Sequence, residues 1–190
     1  MPRRWAVVAW SLAIVIAMVA AIVIAMPGED GLRSAIRATA RTSLILFLAA
    51  FVASAVNTLT RGGAIGKWLL ANRRHLGLGF AGSHLVHGAL IVALAATSAT
   101  YAPSADLVGL IGGLVGFGFL AAMTVTSFDG PTRALGRRRW KLLHTTGMYV
   151  YWAIFASSFA GRATRAPEYG AFTALTLAAL VVRIVARRRA

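Results

Sequence analysis

The sequence predicts an all-α integral membrane protein, a bundle of six transmembrane helices with both termini in the cytoplasm. Three observations carry this reading. Of 190 residues, 58% are hydrophobic and only 13% are charged, with a mean hydropathy of +0.73, whereas soluble domains carry about 25% charge. Six apolar runs approach or reach the roughly 20 residues that a helix needs to cross a hydrocarbon core of about 30 Å. The basic residues sit between those runs, and they are unevenly shared between the two sides.

The runs are Ala6–Met26, Thr42–Leu59, Leu76–Thr97, Asp106–Thr126, Lys141–Ala160 and Tyr169–Val185. Breakers separate them: Pro27-Gly28, Arg61-Gly62-Gly63, Pro103, Gly130-Pro131 and Pro167. The first run follows Arg3-Arg4 as a signal peptide would. Its apolar stretch exceeds the usual signal core of about 7–15 residues, and no small-x-small cleavage site is convincing, so it reads as a retained helix. The length suits one domain, residues 1–190, at about 100–200 residues per domain. Loops this short make consecutive helices antiparallel neighbours. They leave no room for a soluble catalytic domain, so NAD or flavin chemistry would need a nucleotide site on another chain. Gly77-Leu78-Gly79 lies inside an apolar helix with no strand before it, which excludes a dinucleotide fingerprint.

The net charge of +15 would suggest nucleic acid in a soluble protein. Here the cations flank apolar helices and face anionic lipid, so membrane lipid is the expected partner and nucleic acid is not. With the N-terminus inside, fifteen basic residues fall on inner segments and five on outer ones. Cytoplasmic loops carry such an excess. The absence of cysteine excludes disulfides and thiolate-held clusters. The acids Glu29, Asp30, Asp106, Asp129 and Glu168 all lie at or near helix ends, which argues against a proton- or sodium-coupled carrier.

Four histidines are the informative ionisable residues, because such groups inside a membrane helix are costly and usually functional. His84 and His87 are three residues apart on the third run and share a face, with His75 on the opposite one. His75 follows Arg73-Arg74 and reads as an interfacial residue. His144 begins the fifth run, with Gly147, Met148 and Tyr151 on its side of the helix. A neutral imidazole is a standard haem ligand; the plain alternative is a histidine that hydrogen-bonds a neighbouring helix. Gly77, Gly79 and Gly82 would admit a flat macrocycle or another helix close to the backbone. Gly109-x3-Gly113 and Gly112-x3-Gly116 read as a close helix crossing.

Two segments resemble the ferric reductase-like transmembrane domain, over about residues 42–160. Asn72-Arg-Arg-His-Leu-Gly-Leu-Gly-Phe-Ala-Gly-Ser-His-Leu-Val-His87 is similar to that family's arginine pair, Leu-Gly and mid-helix ligand histidine. Leu135-Gly-Arg-Arg-Arg-Trp-Lys-Leu-Leu-His144, followed by Tyr149 and Tyr151, is similar to its Leu-Gly-x-x-Trp-x-x-Leu-His stretch. The resemblance implies a haem b protein of the bacterial inner membrane. Such a protein carries electrons from quinol or a flavoprotein to a redox partner or metal acceptor. It would be an oxidoreductase subunit, with quinone a second candidate cofactor.

By the resemblance, His87 falls on the mid-helix ligand and His144 on the ligand near the cytoplasmic end, with His84 an additional candidate. A further family histidine on the fifth helix is Ser157 here, so one haem per chain is expected. Tyrosine also ligates ferric haem, but no cation lies within a turn of Tyr149 or Tyr151 to stabilise a phenolate. Counting about 1.5 Å per residue from the nearest arginines puts His144 about 7.5 Å deep, His84 about 15 Å and His87 about 20 Å. Depth favours His84 as the partner of His144, the motif favours His87, and His75 stays open. Arg73, Arg74, Arg138 and Arg139 are candidates to pair with the propionates.

Overall fold

The computed structural model describes residues 2–99, 101 and 107–189. Pro103 and Asp106, expected as a breaker and as the start of the fourth run, lie outside the described residues. The described residues form seven helices and no strand: α1 (Pro2–Ala25), α2 (Glu29–Leu59), α3 (Ala64–Thr97), α4 (Leu107–Val125), α5 (Asp129–Leu135), α6 (Arg137–Ala163) and α7 (Tyr169–Arg188).

Four of these, α1, α2, α3 and α7, are long and apolar enough to cross a membrane. A fifth span results if α4 and the short α5, bent by 104° at their junction, are one unit. The fifth apolar run does lie in one helix, α6, but that helix is not among the apolar set. Its hydropathy is diluted by His144, Thr145, Thr146, Tyr149, Ser157 and Ser158. Membrane lipid is the natural solvent for the rest: α1 exposes Trp10 at 69% and Ile24 at 82%, a surface that water would drive to aggregate and that hydrocarbon accepts.

The chain divides into two compact units. The first comprises Met1–Phe47 and His75–Leu110. Here α1 packs against α3 at two glycines. A Cβ on Gly79 would stand 3.2 Å from Ser11 Cβ, and one on Gly82 would collide with the Leu12 side chain. These glycines therefore admit a helix. On the α2 side, Phe47 tilts against Phe80 at 5.5 Å. The hydroxyls of Ser43 and Ser83, both fully buried, hydrogen-bond at 2.9 Å.

The second unit comprises Leu48–Arg74 and Ile111–Ala190. The Tyr151 hydroxyl donates to the Gly116 carbonyl at 2.7 Å, and Gly147 faces Met123 and Phe119, which joins α4 to α6. Gly112 and Gly113 have nothing against their Cβ positions, whereas a Cβ on Gly116 would stand 3.2 Å from Ile154 Cδ1, so Gly116 takes part in the crossing. Trp152 Nε1 donates to the Thr176 carbonyl at 2.9 Å, tying α6 to α7. Gly136 separates α5 from α6 at φ +77°, a backbone conformation that glycine reaches without a Cβ clash.

The α2–α3 turn of this unit is closed against backbone. A Cβ on Gly66 would lie 2.6 Å from Asn57 Cα and 2.7 Å from Thr60 Oγ1. The first obstacle is backbone, so the strain cannot be relieved by a rotamer change and the hairpin has to open. Gly66→Ala is expected to cost about 1–3 kcal/mol, the usual penalty for overpacking. A lowered melting temperature in detergent reports it, and an unchanged one would show that the turn opens without cost.

Candidate functional site

The four histidines divide between the two units, His75, His84 and His87 in the first and His144 in the second. In the first unit the 3.6-residue period of α3 brings the His84 and His87 rings together, stacked at 5.2 Å with 25° between planes. Phe80, one turn earlier, lies 5.4 Å from His84. His75 is buried on another side of α3, edge-on to Trp5 at 5.4 Å. Trp5 thus meets the residue that the sequence placed at the interface.

The hydrogen bonds of His87 settle which ring nitrogen carries its proton. Nδ1 lies 3.1 Å from the Ile36 carbonyl and 3.1 Å from Thr39 Oγ1, both on α2. A carbonyl only accepts. The Thr39 hydroxyl spends its single proton on the Ala35 carbonyl at 2.8 Å, with the Ile36 carbonyl as its other partner, so it also accepts from the ring. His87 Nδ1 therefore carries a proton, which in the neutral imidazole leaves the lone pair on Nε2. A metal-ligating histidine is ordinarily oriented in this way, by a second nitrogen that donates to a carbonyl. On this observation the residues of the first unit fit an axial haem ligand.

In the second unit His144 is half-buried and stacks on Trp140 at 4.3 Å. Its Nε2 lies 3.0 Å from Thr126 Oγ1. The Thr126 hydroxyl also reaches the Ala122 carbonyl at 2.7 Å, and it can donate to or accept from the ring. Ligation through Nε2 would require His144 to exchange its threonine for the metal. The charge of Arg73 acts on His144, and Arg74 pairs with Asp129 at 3.2 Å.

Two features were not visible in the sequence. Ser157, at the position of the further family histidine, is exposed and donates to the Ile154 carbonyl of its own helix. Tyr149, expected to have no cation nearby, has two. Arg183 Cζ stands 5.2 Å from its ring and Arg187 Cζ 5.6 Å, both from α7. The expectation counted neighbours along α6 alone, whereas packing brings these cations from a distant part of the chain.

Among the described residues no group of three or more His, Cys, Asp or Glu side chains is placed to hold a metal ion. In comparisons with known proteins, no family model, curated protein or solved structure matches this chain.

Proposed function

We propose that this chain is a haem b-binding electron-transfer protein of the bacterial inner membrane, ferric reductase-like in kind. In this reading six helices cross the bilayer with both termini in the cytoplasm, α6 being carried as the most polar span. The observation that carries the proposal is His87, held by Ile36 and Thr39 with its lone pair on Nε2. The axial ligands are drawn from His87, His144 and His84, with His87 preferred over His84 for its fixed tautomer. Bound haem would supply a one-electron couple. The chain's own residues orient the ligand ring through the Ile36 carbonyl and Thr39 and tune the potential through ligand identity and partial burial. Electrons would come from quinol or a flavoprotein and leave to a redox partner or metal acceptor.

A second reading is a haem-free scaffold, assembly factor or small-molecule permease. It is favoured by the threonine bonds of His87 and His144, since histidine–hydroxyl bonds also serve to join membrane helices. A reduced-minus-oxidised absorption spectrum of protein from haem-replete cells separates the two. The haem reading expects a sharp difference spectrum and a positive pyridine haemochrome. A colourless preparation negative in that assay would remove it and leave the scaffold reading.

A further inference from the structure

We propose that Arg73, Arg183 and Arg187 form a site for the phosphate of an anionic phospholipid. The site lies within the second unit and is independent of haem. Arg183 is half-buried on α7. Its Nη1 donates to the Phe51 carbonyl at 2.6 Å, and its Cζ sits 4.3 Å from the Phe51 ring. One turn further on, Arg187 lies against the same Tyr149 ring that Arg183 touches. Arg73 of α3 is close enough for the Arg183 charge to act on it.

These three cations have no acidic partner among the described residues. Asp129 is paired with Arg74, Glu29 with Arg33, and Glu168 lies at the opposite end of α7. Phe51 and Tyr149 offer their ring faces and one carbonyl, which attract a guanidinium without neutralising it. Arg183 Nε is buried with no hydrogen-bond partner. A buried donor left unmade is costly, and like charges gathered at reduced dielectric repel. One anion with several acceptor oxygens relieves that repulsion, and guanidinium forks match phosphate oxygens.

The surroundings select a lipid as the source of that phosphate. Val181 and Ile184 flank Arg183 on α7 and are exposed at 58% and 43%. The cations therefore border an apolar surface on which acyl chains can lie. Basic residues at the ends of membrane helices bind anionic head groups in this way.

The test uses the full chain in neutral detergent, titrated with phosphatidylglycerol, with phosphatidylcholine of the same acyl chains, and with inorganic phosphate. Binding is read by native mass spectrometry and by the shift in melting temperature. Arg187→Gln and Arg188→Gln remove the same charge from neighbouring exposed positions, and only the first touches Tyr149. General attraction of one arginine to an anionic surface is worth about fivefold in affinity. Arg187→Gln is expected to weaken phosphatidylglycerol binding by about tenfold or more, beyond that general effect, and Arg188→Gln by fivefold or less. Arg73→Gln should act as Arg187→Gln does, with the helical circular dichroism of all three variants unchanged. Equal losses for Arg187→Gln and Arg188→Gln would overturn the site, as would equal binding of the two lipids. Full stabilisation by inorganic phosphate alone would make the ligand a soluble anion and overturn the lipid assignment.

Discussion

Purified His87→Gln protein is expected to lose its haem absorption while keeping its helical content and its place in the membrane. The asymmetry follows from what each side chain can do. A glutamine amide can donate to the Ile36 carbonyl and to Thr39 Oγ1, as His87 Nδ1 does at 3.1 Å to each, so the α2–α3 contact survives. It has no ring nitrogen to offer iron, so the axial bond does not. The partner that orients the ring can be tested separately. Thr39→Val removes one of the two acceptors of the Nδ1 proton and leaves the carbonyl, which should lower haem affinity by about 10–100-fold, the range for losing such a supporting bond. His84→Gln should leave haem content unchanged, because the bonds that orient the His87 ring come from Ile36 and Thr39 of α2, while His84 meets that ring by stacking. Haem per polypeptide, from the pyridine haemochrome, decides among these. Wild-type haem content in His87→Gln would strike His87 from the ligand set, and equal loss in His84→Gln would return the choice to His84.

Which parts of the fold were legible follows from the range of the forces involved. Apolar runs announce helices because lipid-facing backbone must satisfy itself locally, and the helices found contain the described part of every run except the last residues of the first and fourth, Met26 and Thr126. Their ends were less visible. α2 starts at Glu29 and α3 at Ala64, well before their apolar stretches, since a helix continues as readily through arginines as through leucines. Gly130-Pro131 read as a breaker, yet it lies in the first turn of α5, where proline's missing N–H has no helical partner to lose. The histidines stood out by type. Their partners did not, because Thr39 and Thr126 become neighbours of His87 and His144 only through helix packing, 48 and 18 residues away in sequence. Arg183 was read as one more flanking cation, and only the fold shows it against Phe51.

The second large effect concerns stoichiometry: reconstituted protein should hold one haem per chain and not two. A second iron further along α6 needs an axial ligand beyond His144, and each candidate there is committed elsewhere. Tyr151 is fully buried with its hydroxyl donated to the Gly116 carbonyl at 2.7 Å. Ser157 is exposed and bonded to its own helix, and serine, Ser158 included, is not a usual axial ligand. Tyr149 is the strongest of these, since a tyrosine oxygen can ligate ferric haem iron and this side chain is only half-buried. Both guanidiniums approach its ring, however, and Phe51 meets that ring edge-on at 5.7 Å, so the side chain is packed as a structural aromatic. Ligating iron through it would mean unpacking Arg183 from Phe51 as well. Tyr149→Phe keeps the ring and deletes the oxygen, and it should leave the haem-to-chain ratio at the wild-type value. Iron and haem quantification checks both statements together. A reproducible ratio near two would overturn the single-haem reading; if Tyr149→Phe then halved it, Tyr149 would be the second ligand, and if not, His75 beside Trp5 would be the next to replace.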